Sequence, residues 1–210
     1  MAEEDGAGQW VPADAGVDDL RATAPACRGC ELWRDATQVV FSRGPSSARM
    51  MLVGEQPGDR EDLTGEPFVG PAGHVLADVL DDAGISADEV YLTNAVKHFR
   101  FERRGKRRIH EKPAVSHIVA CRPWLEAEVA AVQPAVIVAL GATAARSVLD
   151  RTVRIGEVRG QILESAIPPG PPTVVTVHPS SLLRLRDAED RARGRRGLAD
   201  DLRRAREAIG

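Results

Sequence analysis

Four short apolar runs, each halted by a glycine, an asparagine or a histidine, most constrain what this chain can fold into. Met50-Met51-Leu52-Val53 stops at Gly54, Val90-Tyr91-Leu92-Thr93 at Asn94, Val136 to Leu140 at Gly141, and Thr173 to Val177 at His178-Pro179. Continuous apolarity marks strands buried on both faces, as in parallel sheets. Helical patterns lie between the runs. Val75, Leu76, Val79, Leu80 and Ala83 repeat at helical spacing up to Gly84. Ser116 is placed to cap a helix carrying Ile118, Val119, Leu125, Val129 and Val132, which Pro134 ends. A short helix is expected near Ala142 to Leu149, and an Arg-rich amphipathic one from Asp187 to Ile209. Alternating strands and helices predict a three-layer α/β/α fold with a central, mostly parallel four-stranded sheet. Thr37 to Phe41 reads as an added edge strand, and Asp14 or Asp18 as the cap of a short helix running toward Ala24.

With 210 residues, 43% hydrophobic, the chain has material for one substantial core. A single domain is expected over residues 14–210, preceded by a flexible tail over 1–13. Pro168 to Pro172 reads as a stiff turn into the last strand, not a linker. The start lacks the basic and apolar regions of a signal peptide, and no run of about 18 apolar residues occurs. A cytoplasmic monomer without membrane contact is the expectation. The net charge of −3 hides sorting along the chain: Arg100 to Lys112 holds seven Lys or Arg against two Glu, and Arg184 to Arg196 six Arg against three acids. Two basic segments on an acidic chain point to a directed polyanion-binding face. The three cysteines Cys27, Cys30 and Cys121 cannot form a closed disulfide set, so a CxxC with a third thiol reads as metal ligation.

Parallel sheets place their sites at the carboxyl ends of the strands, and here those ends carry chemistry. Gly54-Glu55-Gln56-Pro57-Gly58 is a tight turn presenting backbone N–H groups and a carboxylate; alone it is an ordinary strand-to-helix turn. Phe68, among turn formers in Pro67 to Gly73, is either a core ring or a plate for stacking a base. Asn94 is a turn cap or a reader complementary to N3–H and O4 of uracil. His178 is a satisfied buried histidine or a group stabilising negative charge on uracil O2. Ser180-Ser181-Leu182-Leu183-Arg184 sets two apolar side chains beside a cation, suited to filling the gap left by a flipped base. Gly105-Lys106-Arg107-Arg108-Ile109-His110 reads as an irregular basic loop hanging over the site.

In order, Gly54-Glu55-Gln56-Pro57-Gly58, Pro67-Phe68-Val69-Gly70-Pro71-Ala72-Gly73, Thr93-Asn94-Ala95-Val96-Lys97 and His178-Pro179-Ser180-Ser181-Leu182-Leu183 resemble the uracil-DNA glycosylase superfamily, most of all its iron-sulfur family 4. Gln56 and the Lys106-Arg107-Arg108-Ile109-His110 insertion resemble the UdgX type, which binds uracil-DNA covalently. The resemblance spans about residues 27 to 184. It implies a [4Fe-4S] cluster on Cys27, Cys30 and Cys121, with His98 standing where family 4 has its remaining cysteine. Structural zinc is the alternative, because three thiolates and one imidazole are also a zinc set.

The implied partner is uracil-containing DNA, including single strands. Gly54, Gln56, Phe68 and Asn94 would hold uracil; His178 would stabilise the departing base; His110 would attack C1′. Glu55 would orient His110, accept its proton or stabilise the cationic sugar. Lys106, Arg107, Arg108, Ser180, Ser181, Leu182 and Arg184 would contact DNA. A multiple-turnover glycosylase and a non-catalytic iron-sulfur nucleic-acid-binding protein are the rival readings.

Overall fold

The computed structural model describes residues 6–209. In chain order its helices are α1 (Val17–Thr23), α2 (Asp59–Thr64), α3 (Pro71–Ala83), α4 (Val115–Val132), α5 (Ala142–Leu149), α6 (Ile155–Val158) and α7 (Ala188–Glu207). The strands are β1 (Ser42–Arg43), β2 (Met50–Gly54), β3 (Val90–Asn94), β4 (Phe101–Arg104), β5 (Arg107–His110), β6 (Val136–Leu140), β7 (Ile162–Glu164) and β8 (Pro172–Thr176).

Every residue of β2, β3 and β6 is buried, as their unbroken apolarity requires. With β8 they form the parallel centre of the sheet, ordered β3-β2-β6-β8. Alternate side chains divide between two cores. Met50, Leu52, Leu92 and Val138 pack beneath α3 and α7 through Leu76, Leu80, Leu198 and Leu202. Met51, Val53, Tyr91 and Ile137 pack beneath α4 and α5 through Leu125, Val129, Ala145 and Val148. The result is the expected three-layer α/β/α arrangement.

Among the described residues the sheet has six strands, because β1 and β7 add antiparallel edges. The expected edge strand over Thr37 to Phe41 is displaced to Ser42–Arg43. Thr37 and Gln38 instead turn their hydrogen bonds to α2, through the Asp62 carboxylate and the Asp62 and Leu63 carbonyls.

Three further expectations are corrected. From Gly6 onward the N-terminal segment is docked: Ala7 is buried and its N–H donates to the Ala120 carbonyl at 2.7 Å. Small residues make that approach practicable, since a side chain on Gly29 would lie 2.7 Å from the Ala7 backbone. The remainder of the expected tail, residues 1–5, lies outside the described residues. Ser116 falls inside α4, whose first turn is closed when the His117 imidazole Nδ1 accepts the Ala114 N–H at 3.1 Å. Likewise Gly16, not Asp14 or Asp18, precedes α1. Asp187 does cap α7, accepting the N–H groups of Glu189 and Asp190.

The basic segment is the largest departure. It forms an antiparallel hairpin, with Phe101 opposite His110 and Arg104 opposite Arg107, turned at Gly105 with φ +62°. A positive φ favours glycine, so Gly105 sets the turn. The six residues from Gly105 to His110 are therefore half of a ribbon, and His110 is a strand end.

Candidate active site

The order β3-β2-β6-β8 reverses direction between β2 and β6, and a crevice is expected outside the strand ends at such a point. A cleft of about 650 Å³ lies there, lined by Glu55, Gln56, Phe68, Asn94, His110, His178, Ser180 and Arg184 together with α2 and α3 residues. Residues far apart in sequence thus share one cavity.

Glu55 leaves β2 half-buried, and its Oε2 accepts the hydroxyl of Thr143 at the start of α5. Its Oε1 lies 3.5 Å from His110 Nε2. Thr143 therefore fixes the carboxylate across the sheet reversal. Sequence reasoning passed it over, although its place two residues beyond Gly141 put it at a strand end.

Gln56 does something other than the expected uracil reading. Its Oε1 accepts the Arg100 N–H at 3.1 Å, so its Nε2 must be the amide end facing the Arg100 carbonyl (3.1 Å), the Glu111 carbonyl (2.9 Å) and His110 Nε2 (3.0 Å). The amide is engaged by the two ends of the hairpin, which it ties to the end of β2.

Asn94 closes β3 directly opposite Gly54. A Cβ on Gly54 would come within 2.3 Å of Asn94 Oδ1 and 2.7 Å of Phe68 Cζ, so the bare backbone is the floor on which both side chains rest. Gly54 is a spacer in this arrangement. The buried Asn94 side-chain amide makes no hydrogen bond to another described residue, leaving its donors and acceptor to the cleft. Behind it, Lys97 Nζ donates to the Asn94 carbonyl at 3.0 Å and pairs with buried Glu128 at 2.5 Å. Phe68 holds φ +59°, a left-handed conformation costly for an aromatic residue, and Gly73 leaves room for its carbonyl.

His178 follows β8 and packs on Gly141, whose missing side chain admits it; a Cβ there would lie 3.1 Å from His178 Cβ. Its Nδ1 accepts the Ser180 N–H at 3.2 Å and lies 2.9 Å from Ser180 Oγ. A backbone N–H can only donate, so Nδ1 is the unprotonated nitrogen and Nε2 carries the hydrogen. Burial depresses the imidazole to a pKa of about 4, against a weaker upward pull from Glu55 and a further downward push from His110. His178 is therefore a neutral donor at neutral pH.

Ser181 closes the same turn by donating to the His178 carbonyl at 2.7 Å. Leu182, expected to touch DNA, is buried in the core, where a side chain on Gly194 would lie 2.4 Å from it. The exposed leucine lining the cleft is Leu183. The segment is a 3₁₀-helix, and its tighter winding determines which of two adjacent leucines faces out.

Arg108, also expected at DNA, is held by protein. Its guanidinium pairs with Asp59 at 2.6 Å and Asp62 at 2.5 Å, donates to Thr37 Oγ1, and lies over the rings of Phe99 and Phe101. These partners lock the hairpin to α2. Lys106 and Arg107 are exposed, with no ion pair among the described residues.

Cys27, Cys30 and Cys121 are buried in one apolar group with Trp124, Phe41 and Leu20. Trp124 Nε1 donates to Cys27 Sγ at 3.2 Å and the Lys97 N–H to Cys121 Sγ at 3.3 Å. Burial drives the Cys121 thiol up to about 12; Lys97 opposes that shift, while Cys30 and Cys27 reinforce it. His98 is buried and held near 4, by burial first and then by Arg28, which sits between Cys27 and Cys30 in sequence. Among the described residues no three His, Cys, Asp or Glu side chains converge on a point that could hold a metal ion. Cys27, Cys30 and Cys121 share one buried group and His98 is buried as well, so these donors are shielded from water as the ligands of a structural metal group would be.

No described helix is long and apolar enough to cross a membrane. Comparison with known proteins finds a match to the Uracil DNA glycosylase superfamily over residues 41–203. The Type-4 uracil-DNA glycosylase of Thermotoga maritima is 38% identical over 184 residues, 87% of this chain and 89% of that protein. The Archaeoglobus fulgidus protein of that name is 34% identical, covering 70% of this chain and 73% of its own length. That of Pyrobaculum aerophilum is 31% identical, covering 75% and 80%. On these matches, over a sheet whose strand ends carry the motifs in order, the chain belongs to the uracil-DNA glycosylase superfamily.

Proposed function

We propose that this protein excises uracil from DNA and that His110 then captures the deoxyribose C1′, leaving a stable protein–DNA adduct. The observation that carries the reading is the position of His110 Nε2, 3.5 Å from Glu55 Oε1 in the cleft that also contains Phe68, Asn94 and His178. Uracil enters beside Phe68, and the free Asn94 amide meets its N3–H and O4. As the C1′–N1 bond breaks, its electron pair leaves with the base, and His178 Nε2–H donates to uracil O2. The sugar becomes oxocarbenium-like, stabilised by the Glu55 carboxylate that Thr143 holds. The His110 Nε2 lone pair forms the new bond to C1′, the Nδ1 proton passes to solvent, and the uracil anion is protonated.

The relatives bear the name of Type-4 uracil-DNA glycosylases, which supports hydrolytic turnover as the second reading. There, water attacks C1′ in place of His110. Incubation with uracil-containing single-stranded DNA, then denaturing electrophoresis, separates the two. Capture predicts a protein–DNA band with one uracil released per protein, abolished by His110→Ser. Free uracil over many turnovers without a band contradicts it. For the cysteine region we propose a structural iron-sulfur cluster on Cys27, Cys30 and Cys121 with His98 completing the set; its chemistry is to cross-link the N-terminal segment to α4.

A further inference from the structure

On the outer side of the hairpin lies a second, open groove of about 850 Å³, and it shares Asp59 with the cleft. Arg103, Lys106 and Arg107 line it, and no described carboxylate pairs with any of the three. The neighbouring arginines differ: Arg104 pairs with Glu102, Arg100 with Glu111, and Arg108 with Asp59 and Asp62. Two large apolar side chains complete the wall, Leu63 at 59% exposure and Ile109 at 37%. The groove thus sets an aliphatic wall beside three cations that lack a carboxylate partner among the described residues. It suits a ligand with a flat apolar face and an attached anion.

We infer that this groove is a subsite for the nucleotide next to the target uracil in single-stranded DNA, its base against Leu63 and Ile109 and its phosphate on Arg103, Lys106 and Arg107. The placement of neighbours supports this: Ile109 lines the groove and the next residue, His110, lines the cleft, so one strand of DNA passing the end of β5 meets both. In a duplex the faces of that base are covered by stacking, so the aliphatic contact requires an unpaired strand. The inference rests on the uracil-excision reading and adds strand and flank selectivity to it.

The test compares the native protein with Leu63→Ala/Arg103→Gln, two changes at exposed groove positions that do not line the cleft. Single-turnover uracil release is measured on single-stranded oligonucleotides with uracil central, at the 5′ end or at the 3′ end. For the native protein, removing the flank on one side raises the half-saturating concentration about fivefold. The variant shows that higher value already with central uracil, is indifferent to removal of the same flank, and equals the native protein on the substrate whose terminal uracil lacks that flank. Its salt slope in binding a uracil-free strand falls by about 0.7, one phosphate contact. Equal behaviour of variant and native protein, or equal weakening on all substrates, overturns the subsite. No uracil release by the native protein defeats the excision reading instead. The uracil-free binding arm still decides the groove, since an unchanged affinity and salt slope refute it.

Discussion

At the scale of single residues, the cleft is organised by atoms that are missing as much as by those present. Gly54 has no room for a methyl group, since Asn94 and Phe68 lie where its Cβ would be. Gly54→Ala is expected to push both side chains aside and to weaken inhibition by free uracil at least about tenfold, with thermal stability falling far less; inhibition titration and a melting curve check this. His178 makes a pH prediction. Its imidazole titrates near 4 when folded and near 6.5 when unfolded. The folded state thus binds fewer protons, and the associated stability is complete above 6.5 and lost as pH falls toward 4, by about 3 kcal/mol in all. Protonation of Nδ1 would also eject the Ser180 N–H. Urea unfolding from pH 7 to 4 should show the loss, and His178→Asn should lack most of it. What sequence could reveal at this scale was residue type at strand ends. Glu55, Asn94 and His178 are legible because the strand runs locate them, Phe68 because it stands among turn formers, and His110 through its basic segment and the family resemblance. Thr143, the engaged amide of Gln56 and the choice of Leu183 over Leu182 depend on distances between segments, which spacing does not encode.

At the scale of elements, α2 and the hairpin act together. Asp62 is fully buried and meets both the Thr37 N–H and the Arg108 guanidinium. Arg108→Ala leaves that carboxylate without its cation, at a cost of about 3 kcal/mol. Amide exchange should accelerate across Phe101–Arg104 and Arg107–His110, and a second change, Asp62→Asn, should recover part of the lost stability. The parallel strands could be read directly because burial on both faces imposes unbroken apolarity. The hairpin could not. Phe101–Arg104 and Arg107–His110 are mostly exposed and cationic, without the alternation that marks a half-buried strand, so only tertiary ties through Gln56 and Arg108 make it a ribbon. The edge strands β1 and β7, of two and three residues, are too short to leave a pattern.

At the scale of the whole molecule, two regions meet at the segment from Asn94 to His98. One is the cleft at the strand ends; the other is the buried cysteine group that includes Cys121 of α4. Freshly purified protein is expected to absorb in the visible and to contain iron with inorganic sulfide, and stoichiometric zinc in colourless protein would contradict the cluster. Removal of the iron should loosen the N-terminal segment around Ala7 and Leu20 before it affects the β2 and β6 core, which limited proteolysis can follow. The central claim, however, concerns a bond. Intact mass spectrometry after incubation with a uracil-containing oligonucleotide tests it most directly. Capture predicts a protein heavier by the oligonucleotide less the released base, with the added mass on the peptide bearing His110. Unmodified protein beside free uracil and an abasic oligonucleotide would contradict it.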